Sequence, residues 1–257
     1  MMRLIDSHCH LDLSAFSEDR VAVLLKAQQS HISDIVVPAI KSATWARVES
    51  LCKKVNTVNL HAAYGLHPMF MSSHKVSDLA LLEQQLSQPD SVAVGECGLD
   101  FFIEPRDKDE QLNYFTSQLD LAVQFQLPVI VHSRKSLDLV LREIRLRPGL
   151  RGVIHSFSGS EQQAKQLIDL GFYLGFGGPV TYNRAKKLRR LVMTLPLESL
   201  LLETDAPDQP DAAHHGLRNQ PAWLVNIANV IAELRGVDPA YVAEVTTKNC
   251  CELFSIK

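Results

Sequence analysis

The sequence predicts a (β/α)8 barrel, in which eight parallel strands form a TIM barrel enclosed by helices. Three observations predict this fold: short apolar segments recur along the chain, segments with helical periodicity separate them, and the length of 257 residues suits one such barrel. A strand that is buried on both faces is expected to be apolar throughout, as these segments are. An open, doubly wound parallel sheet built from the same units is the alternative.

Eight apolar segments rich in β-branched residues are the predicted strands. No linker, internal repeat or low-complexity tract separates them, so residues 1–257 are predicted to form a single domain. Because all strands of a parallel barrel run in the same direction, the side chains that follow them should meet at one end. The predicted strands are residues 3–10, 34–40, 60–66, 91–97, 128–133, 152–157, 172–178 and 199–206.

Helical periodicity follows five of the predicted strands and completes the repeating β-α unit. In one of these helices, Ser160 and Gln163 have the spacing of a capping box, and Gly171 is placed to end the helix. Start and stop signals of this kind strengthen the helix prediction for that segment. The predicted helices are residues 18–29, 77–86, 109–125, 136–144 and 160–171.

The overall charge restricts the partners that the protein can bind. A net charge of −3 provides no broad basic surface, which argues against tight, non-specific binding to duplex nucleic acid. A nucleic-acid substrate is compatible with this charge if it is contacted locally, within a cleft. No obligate protein partner is indicated, and we expect a monomer.

The cysteine content and the N-terminal residues predict a soluble protein of the cytoplasm. The five cysteines include no C-x-x-C spacing, so neither a disulfide framework nor a zinc ribbon is predicted. Reduced thiols in a cytoplasmic protein are the simplest explanation. The N-terminus lacks the apolar segment of a signal peptide, and no apolar run is long enough to span a bilayer, so no membrane association is expected.

The stretch "DSHCH" places two histidines at the end of the first predicted strand. Side chains alternate along an extended chain, so Asp6, His8 and His10 should share one face while Ser7 and Cys9 share the other. Two neighbouring imidazoles on one face are suited to binding a metal ion. The alternative is that they are ordinary polar residues at the end of a strand.

Metal-ligating residue types lie at the C-terminal ends of five of the eight predicted strands, and all of these strand ends should meet at the same rim. A mixture of imidazole and carboxylate ligands suits Zn²⁺, Mn²⁺ or a related divalent ion such as Mg²⁺. Six ligands are too many for one tetrahedral site and fit two ions that share a bridging carboxylate, with Glu96 as the bridge. The six residues are His8, His10, Glu96, His132, His155 and Asp205.

Three more residues are candidates for supporting roles. His67, in "GLHP", is interpreted as facing the substrate, with a core histidine as the alternative. Arg134 is a candidate phosphate clamp because a guanidinium can bind two oxygens at once, but a surface charge at a helix start is equally compatible. Glu203 should point inward below Asp205 and orient a metal ligand; a buried, hydrogen-bonded carboxylate without that role is the alternative.

The motifs that contain these residues resemble, in order, the motif series of TatD-like metal-dependent hydrolases. The resemblance extends from residue 3 to about residue 254. It implies a TIM barrel of the amidohydrolase type, a binuclear divalent-metal site and hydrolysis of phosphoester bonds, with deoxyribonuclease activity in several members. The motifs are "IDSHCHLD", "YGLHP", "VGECGLDF", "VIVHSR", "HSFSGS" and "LLLETDAP", followed by the closing segments "RNQPAWL" and "TTKNCCELF".

The resemblance also implies how the ligands divide between the two ions. It assigns His8, His10, Glu96 and Asp205 to one ion, and Glu96, His132 and His155 to the other.

Two stretches depart from the family pattern. Gln220 stands where the family usually has Glu, and Asp208-Gln209-Pro210 lacks the aromatic–leucine pair of the nuclease members. The second stretch is similar to the YjjV-like branch. We expect both departures to lie at the rim and to affect the substrate, with little effect on the metal site.

The predicted function is metal-assisted hydrolysis of a phosphoester, in single-stranded DNA or in a smaller nucleotide-like compound. Metal ions would promote ionisation of a water molecule, and Asp205 would orient that water and accept its proton. One alternative keeps the site but changes the bond to a C–N or a carboxylic ester bond. Another is a non-catalytic metal-binding protein, which should have closed coordination and no turnover.

Overall fold

The structure, a computed structural model, is a barrel of eight parallel strands that are paired in the order of the chain. It describes residues 3–54, 56–102, 104 and 107–257. The order of the strands never reverses, as it would in a doubly wound sheet, so the predicted (β/α)8 fold is confirmed. The strands are β1 (Leu4–Asp6), β2 (Ile32–Pro38), β3 (Asn59–Tyr64), β4 (Ser91–Asp100), β5 (Val129–Arg134), β6 (Gly152–Ile154), β7 (Phe172–Phe176) and β8 (Leu200–Leu202).

The backbone just beyond β8 and β1 closes the ring. The Ser7 N–H donates to the carbonyl of Leu202 at 3.0 Å. Beyond it, the Asp205 N–H donates to the carbonyl of His8, and the His10 N–H to that of Ala206, each at 2.9 Å. We call these three contacts the seam, and they place the predicted ligands of the first and eighth strands next to each other.

All five predicted helices are present, with ends that differ by one or two residues. The capping box is confirmed, because the Ser160 hydroxyl accepts from the Gln163 N–H and the Gln163 side chain accepts from the Ser160 N–H. Gly171 lies two residues beyond the end of its helix, with a φ of +82°. The helices are α1 (Arg20–Gln29), α2 (Trp45–Cys52), α3 (Ser77–Leu86), α4 (Lys108–Phe125), α5 (Leu137–Arg145), α6 (Glu161–Asp169), α7 (Lys186–Thr194), α8 (Leu224–Arg235) and α9 (Pro239–Phe254).

The C-terminal helix α9 covers the end of the barrel where the strands begin. Its Leu253 and Phe254 pack with apolar side chains inside the barrel, among them Ile5, Val36 and Leu201. Asn249, also on α9, donates to the carbonyls of residues 197 and 200 at the start of β8. α9 therefore covers this end of the barrel, and the polar residues lie at the opposite end. Across the described ranges, no helix combines the length and hydrophobicity of a transmembrane span.

A buried carboxylate ties the beginnings of the first three strands together. Asp34 is 1% exposed and accepts hydrogen bonds from His61 at 2.9 Å and from Asn59 at 3.1 Å. Its other oxygen accepts from Arg3 at 2.9 Å and from Ser33 at 2.6 Å. Burial alone would raise the pKa of Asp34, but these four donors together hold the pKa below its ordinary value.

We expect Asp34→Asn to lower the free energy of unfolding by about 2–3 kcal/mol at pH 7, because an amide replaces a charged acceptor among four donors. Since the folded-state pKa is depressed, the contribution of Asp34 is fully present above the unfolded-state pKa of about 3.9 and is lost as the pH falls further. Urea unfolding at pH 7 and at pH 3 should therefore show a smaller difference between variant and wild type at the lower pH. Asp90→Asn, which alters an exposed pair with Lys53, is the control. An equal difference at both pH values would contradict the prediction.

Candidate metal centre

A cavity of about 600 Å³ opens at the end of the barrel where the strands finish. Its floor contains five of the six predicted ligands, and His8 lies buried just beneath it. Its walls are largely apolar and include Phe70, Phe157 and Phe176. The predicted ligands on the floor are His10, Glu96, His132, His155 and Asp205.

Four potential ligand atoms from three strand ends meet on one side of the floor, and we call them the first donor group. His8 Nε2 and His10 Nε2 lie 3.2 Å apart, and Glu96 Oε2 is 3.2 and 3.3 Å from them. Asp205 Oδ1 is 3.6 Å from each imidazole nitrogen. Ligands at tetrahedral positions about 2.0–2.1 Å from an ion such as Zn²⁺ lie about 3.3–3.4 Å apart, so the spacing of this group fits an ion.

The other oxygen of Glu96 faces a second set of imidazoles, the second donor group. Glu96 Oε1 is 2.9 Å from both His67 Nε2 and His155 Nε2, and 3.2 Å from His132 Nδ1. His132 Nδ1 and His155 Nε2 are 3.3 Å apart. The two groups adjoin, since the rings of His8 and His155 stack with centroids 4.1 Å apart. Several sets of three residues from these two groups place their ligand atoms close enough together to hold an ion.

His67 lies closer to the ligand set than its predicted role requires. Burial lowers the pKa of the His67 imidazole to about 4, so the ring is neutral and its Nε2 is directed at Glu96. Its Nδ1 accepts from the Met69 N–H at 3.0 Å, which fixes the orientation of the ring. Because Nδ1 accepts a hydrogen bond, the proton of the neutral ring lies on Nε2 and is donated to Glu96, and the ring also lines the wall of the cavity.

Outer hydrogen bonds fix two of the predicted ligand imidazoles. His10 Nδ1 lies 3.2 Å from the carbonyl of Pro38, and His132 Nε2 lies 3.0 Å from Asp100 Oδ2. A partner on one ring nitrogen sets the tautomer and directs the other nitrogen towards an ion. Asp100 was not predicted, although its position four residues after Glu96 in β4 places it on the same face of the strand.

Asp6 shares the alternation of His8 and His10 but faces the seam. Its carboxylate accepts from the Thr204 N–H at 2.9 Å and from the Thr204 hydroxyl at 2.6 Å. It also accepts from the His8 N–H at 3.3 Å. Asp6 therefore holds the two strand ends in register, and the potential ligand atoms come from the residues beyond it.

Glu203 occupies the buried position below Asp205 that the sequence predicts. Its Oε1 accepts from the Ser156 N–H and lies 3.8 Å from His155 Nδ1, beyond hydrogen-bond distance. Burial raises the pKa of Glu203 to about 8. Gly175 makes room for it, because a Cβ at that position would lie 2.2 Å from Glu203 Oε2. The contact with Ser156 supports the segment that carries His155, but the orienting role of Glu203 remains a prediction.

Without an ion, the charges of the cluster are divided unevenly among its imidazoles. Burial lowers the pKa of His8 to about 4, whereas for His10 and His155 burial is outweighed by the nearby carboxylates together, chiefly Glu96, which raise the pKa to about 9 and about 10. Facing these imidazoles, the pKa of Glu96 lies well below its ordinary value despite its burial. Among the described residues, His8 Nδ1 and Glu96 Oε2 are buried polar atoms without a hydrogen-bond partner. Such uncompensated atoms are expected at a site that holds a further group.

Comparison with known proteins identifies the family. The family model described as TatD related DNase matches residues 5–255. The chain belongs to the TatD-related DNase family. An uncharacterized metal-dependent hydrolase of Escherichia coli K12, YjjV, is 40% identical over 257 residues, with 99% of this chain and 98% of that protein covered. A similarly named protein of Haemophilus influenzae is 38% identical over 263 residues, covering 99% and 100%.

A solved structure of a TatD-family protein has nearly the same backbone. The crystal structure of YjjV, a TatD homolog from Escherichia coli K12, superposes with a TM-score of 0.94 at 39% identity. The superposition covers 100% of this chain and 99% of that one. The resemblance that the motifs indicated, including the similarity to YjjV, is therefore confirmed.

The two departures from the TatD pattern differ in position. Gln220 lies just before a short 3-10 turn, and its backbone N–H bonds to the side chain of Asn219 at 2.9 Å. Gln209 lines the cavity, and its side-chain amide donates to Asp205. Both departures were expected to have little effect on the metal site, and that expectation stays a prediction; the structure adds that Gln209 contacts the predicted ligand Asp205 directly.

Arg134 ends β5 at the mouth of the cavity, exposed to solvent. Its guanidinium lies over the ring of Phe102 at 3.7 Å from the centroid. Stacking of this kind orients the planar cation while its hydrogen-bond donors stay accessible. The position is compatible with a phosphate clamp, which remains a prediction for this TatD-family chain.

Proposed function

We propose that this chain, a metal-dependent hydrolase of the TatD family, hydrolyses phosphoester bonds with two divalent ions. The observation that carries the proposal is the position of the Glu96 carboxylate, whose two oxygens face two different groups of imidazoles at 2.9–3.3 Å. A carboxylate arranged in this way is suited to bridging a pair of ions.

The first donor group would hold one ion, and Glu96, His132 and His155 would hold the second. Ions bound there would supply Lewis acidity and would lower the pKa of a bound water. The donors are mainly imidazoles, which favours Zn²⁺ over Mg²⁺. The outer contacts of His10 and His132 would keep the ligand nitrogens directed inward.

Asp205 is our candidate for the proton acceptor. It lies on the cavity floor at the carboxyl end of the barrel, with one oxygen directed at His8 and His10. A carboxylate in this position can orient an attacking water and take up its proton. Arg134, at the cavity mouth, would bind non-reacting oxygens of the phosphate, and His67 would contact the substrate from the wall.

The cavity favours a substrate with a phosphoester and an apolar or aromatic portion. Its volume of about 600 Å³ is in the range of small-molecule sites and is too small for a duplex. The aromatic walls could accept a base or another planar group, so the end of a single DNA strand or a nucleotide-like compound is the proposed substrate.

All five cysteines are free thiols, which supports a cytoplasmic location. One continuous sheet supports a single domain over residues 1–257, and we propose that it acts as a monomer.

The test is hydrolysis of end-labelled single-stranded DNA and of chromogenic phosphomonoesters and phosphodiesters, with Zn²⁺, Mn²⁺ or Mg²⁺. We expect turnover that depends on the ion and is lost with a chelator. Turnover of carboxylic ester or C–N substrates alone, by protein that contains two ions, would reject the phosphoester proposal. The absence of turnover with all of these substrates would favour a non-catalytic protein.

A further inference from the structure

Gln209 makes a hydrogen-bonded bridge across the floor of the cavity. Its Nε2 donates to Asp205 Oδ2, and its Oε1 accepts from the hydroxyl of Ser156 at 3.0 Å. Ser156 directly follows His155, and its N–H donates to Glu203. The bridge therefore connects the carboxylate of the first donor group to the segment that carries an imidazole of the second.

The backbone around Gln209 is fixed by the surrounding structure. The buried side chain of Asn219 donates to the carbonyl of Asp208 at 2.7 Å and to that of Gln209 at 3.3 Å. Gly178 packs closely against the same segment, since a Cβ there would lie 2.1 Å from the Gln209 carbonyl oxygen. Gln209 thus extends its side chain from an anchored loop, so forming the bridge costs side-chain rotamer entropy but little further backbone entropy.

The amide of Gln209 and the imidazoles of the first donor group contact different oxygens of Asp205. Oδ2 accepts from Gln209, and Oδ1 is 3.6 Å from His8 Nε2 and from His10 Nε2. A carboxylate that accepts a hydrogen bond at one oxygen is less free to rotate, and binding an ion through both oxygens would compete with that hydrogen bond. The neutral amide of Gln209 restrains the Asp205 carboxylate without adding a charge to the cluster.

We propose that Gln209 is a positioning residue that fixes the plane of the Asp205 carboxylate and limits it to binding an ion through one oxygen. The inference rests on the proposed function for the role of Asp205, and it adds the residue that sets the geometry of that role. It also gives a reason for the departure from the nuclease-type motif after Asp205. The residue at this position contacts the reacting carboxylate and so affects more than the outer rim.

The decisive variant is Gln209→Met, which retains the size of the side chain and removes both hydrogen bonds. We expect kcat or the affinity for Mn²⁺ to fall about 10- to 100-fold, as for other partners of metal ligands, with KM close to the wild-type value. Affinity is measured by calorimetric titration of the metal-free protein with Mn²⁺, and stability by thermal unfolding. Gln124→Met is the matched control, because Gln124 makes the same amide–carboxylate contact with Glu83 on the outside of the barrel.

Two further variants keep the test decisive if Gln209→Met does not fold. Gln209→Asn retains the amide but is too short to span both partners, so it should show the same loss. Ser156→Ala removes one half of the bridge and should show a smaller loss in the same direction. A folded variant with unchanged Mn²⁺ affinity and unchanged kcat would overturn the proposal, and so would a change in KM alone, which would indicate a substrate contact. The calorimetric result is independent of the reaction, so it stands even if no phosphoester is hydrolysed.

Discussion

Replacing Asp205 with asparagine is expected to lower kcat about 10²- to 10⁴-fold, the range that is typical for the loss of a general base. The amide cannot accept a proton from water, and its uncharged oxygen is a weaker ligand. The fold should persist, because the Asp205 N–H that bonds to His8 is unchanged and asparagine readily adopts the φ of +56° found here. The measurement is kcat with the best substrate and ion, together with thermal unfolding of both proteins.

The control for this prediction is Asp120→Asn, which removes an exposed carboxylate that pairs with Arg147 on the outside of the barrel. It should have wild-type kcat, because surface ion pairs contribute little and Asp120 lies far from the cavity. An Asp205→Asn protein that is folded, binds its ions and retains wild-type kcat would exclude Asp205 as the proton acceptor.

Replacing Glu96 with glutamine is expected to have the largest effect on metal content. Each oxygen of Glu96 faces a different donor group, so a single substitution weakens both at once. We expect the loss of affinity to exceed the roughly 10- to 100-fold that removal of an outer hydrogen-bond partner causes. The amide also directs an N–H₂ group at imidazole nitrogens that would otherwise bind an ion.

Bound metal per chain, measured by elemental analysis after dialysis against a weak chelator, tests this prediction. Glu83→Gln, an exposed carboxylate on α3, is the control and should retain the wild-type metal content. If Glu96→Gln retained two ions with wild-type affinity, Glu96 would not bridge them. Loss of one ion only would place Glu96 on a single ion and would contradict the shared-ligand arrangement.

The fold and the positions of the six candidate ligands could be predicted because both depend on local patterns. Continuous apolar segments indicate strands that are buried on both faces, and polar residues at their ends have no role in the core. His8, Glu96 and Asp205 stand out in this way, although they are far apart in the chain. Parallel strands then require them to meet at one end of the barrel.

The predicted ends of the strands were less accurate. The first strand was predicted over residues 3–10 and is observed as Leu4–Asp6. The chain bends at Ser7, and the residues that follow bond at the seam to the end of β8 and the backbone beyond it without extending a regular ladder. Such pairing between distant parts of the chain is not encoded in the local alternation of polar and apolar residues.

Two outer contacts of the site were not predicted, because Asp100 lies beyond residue 97, where its strand was predicted to end, and Gln209 lies in a loop. Asp100 reaches His132 across 32 positions of the sequence, and Gln209 reaches Ser156 across 53. Gln209 also owes its direction to the anchoring of its loop by Asn219. A polar residue in a loop gives no sign of such a contact, whereas one that follows a buried strand does.

The seam joins parts of the chain that are synthesised at different times. Asp6 and Thr204, which hold it in register, are separated by 198 positions. An ion shared by His8, His10 and Asp205 would bind only after the last strand has joined the first, so a nascent chain that ends before β8 could not form this site. Metal uptake would therefore mark the completion of the ring, and the binding energy would stabilise the contact between its first and last strands in preference to any partly closed intermediate.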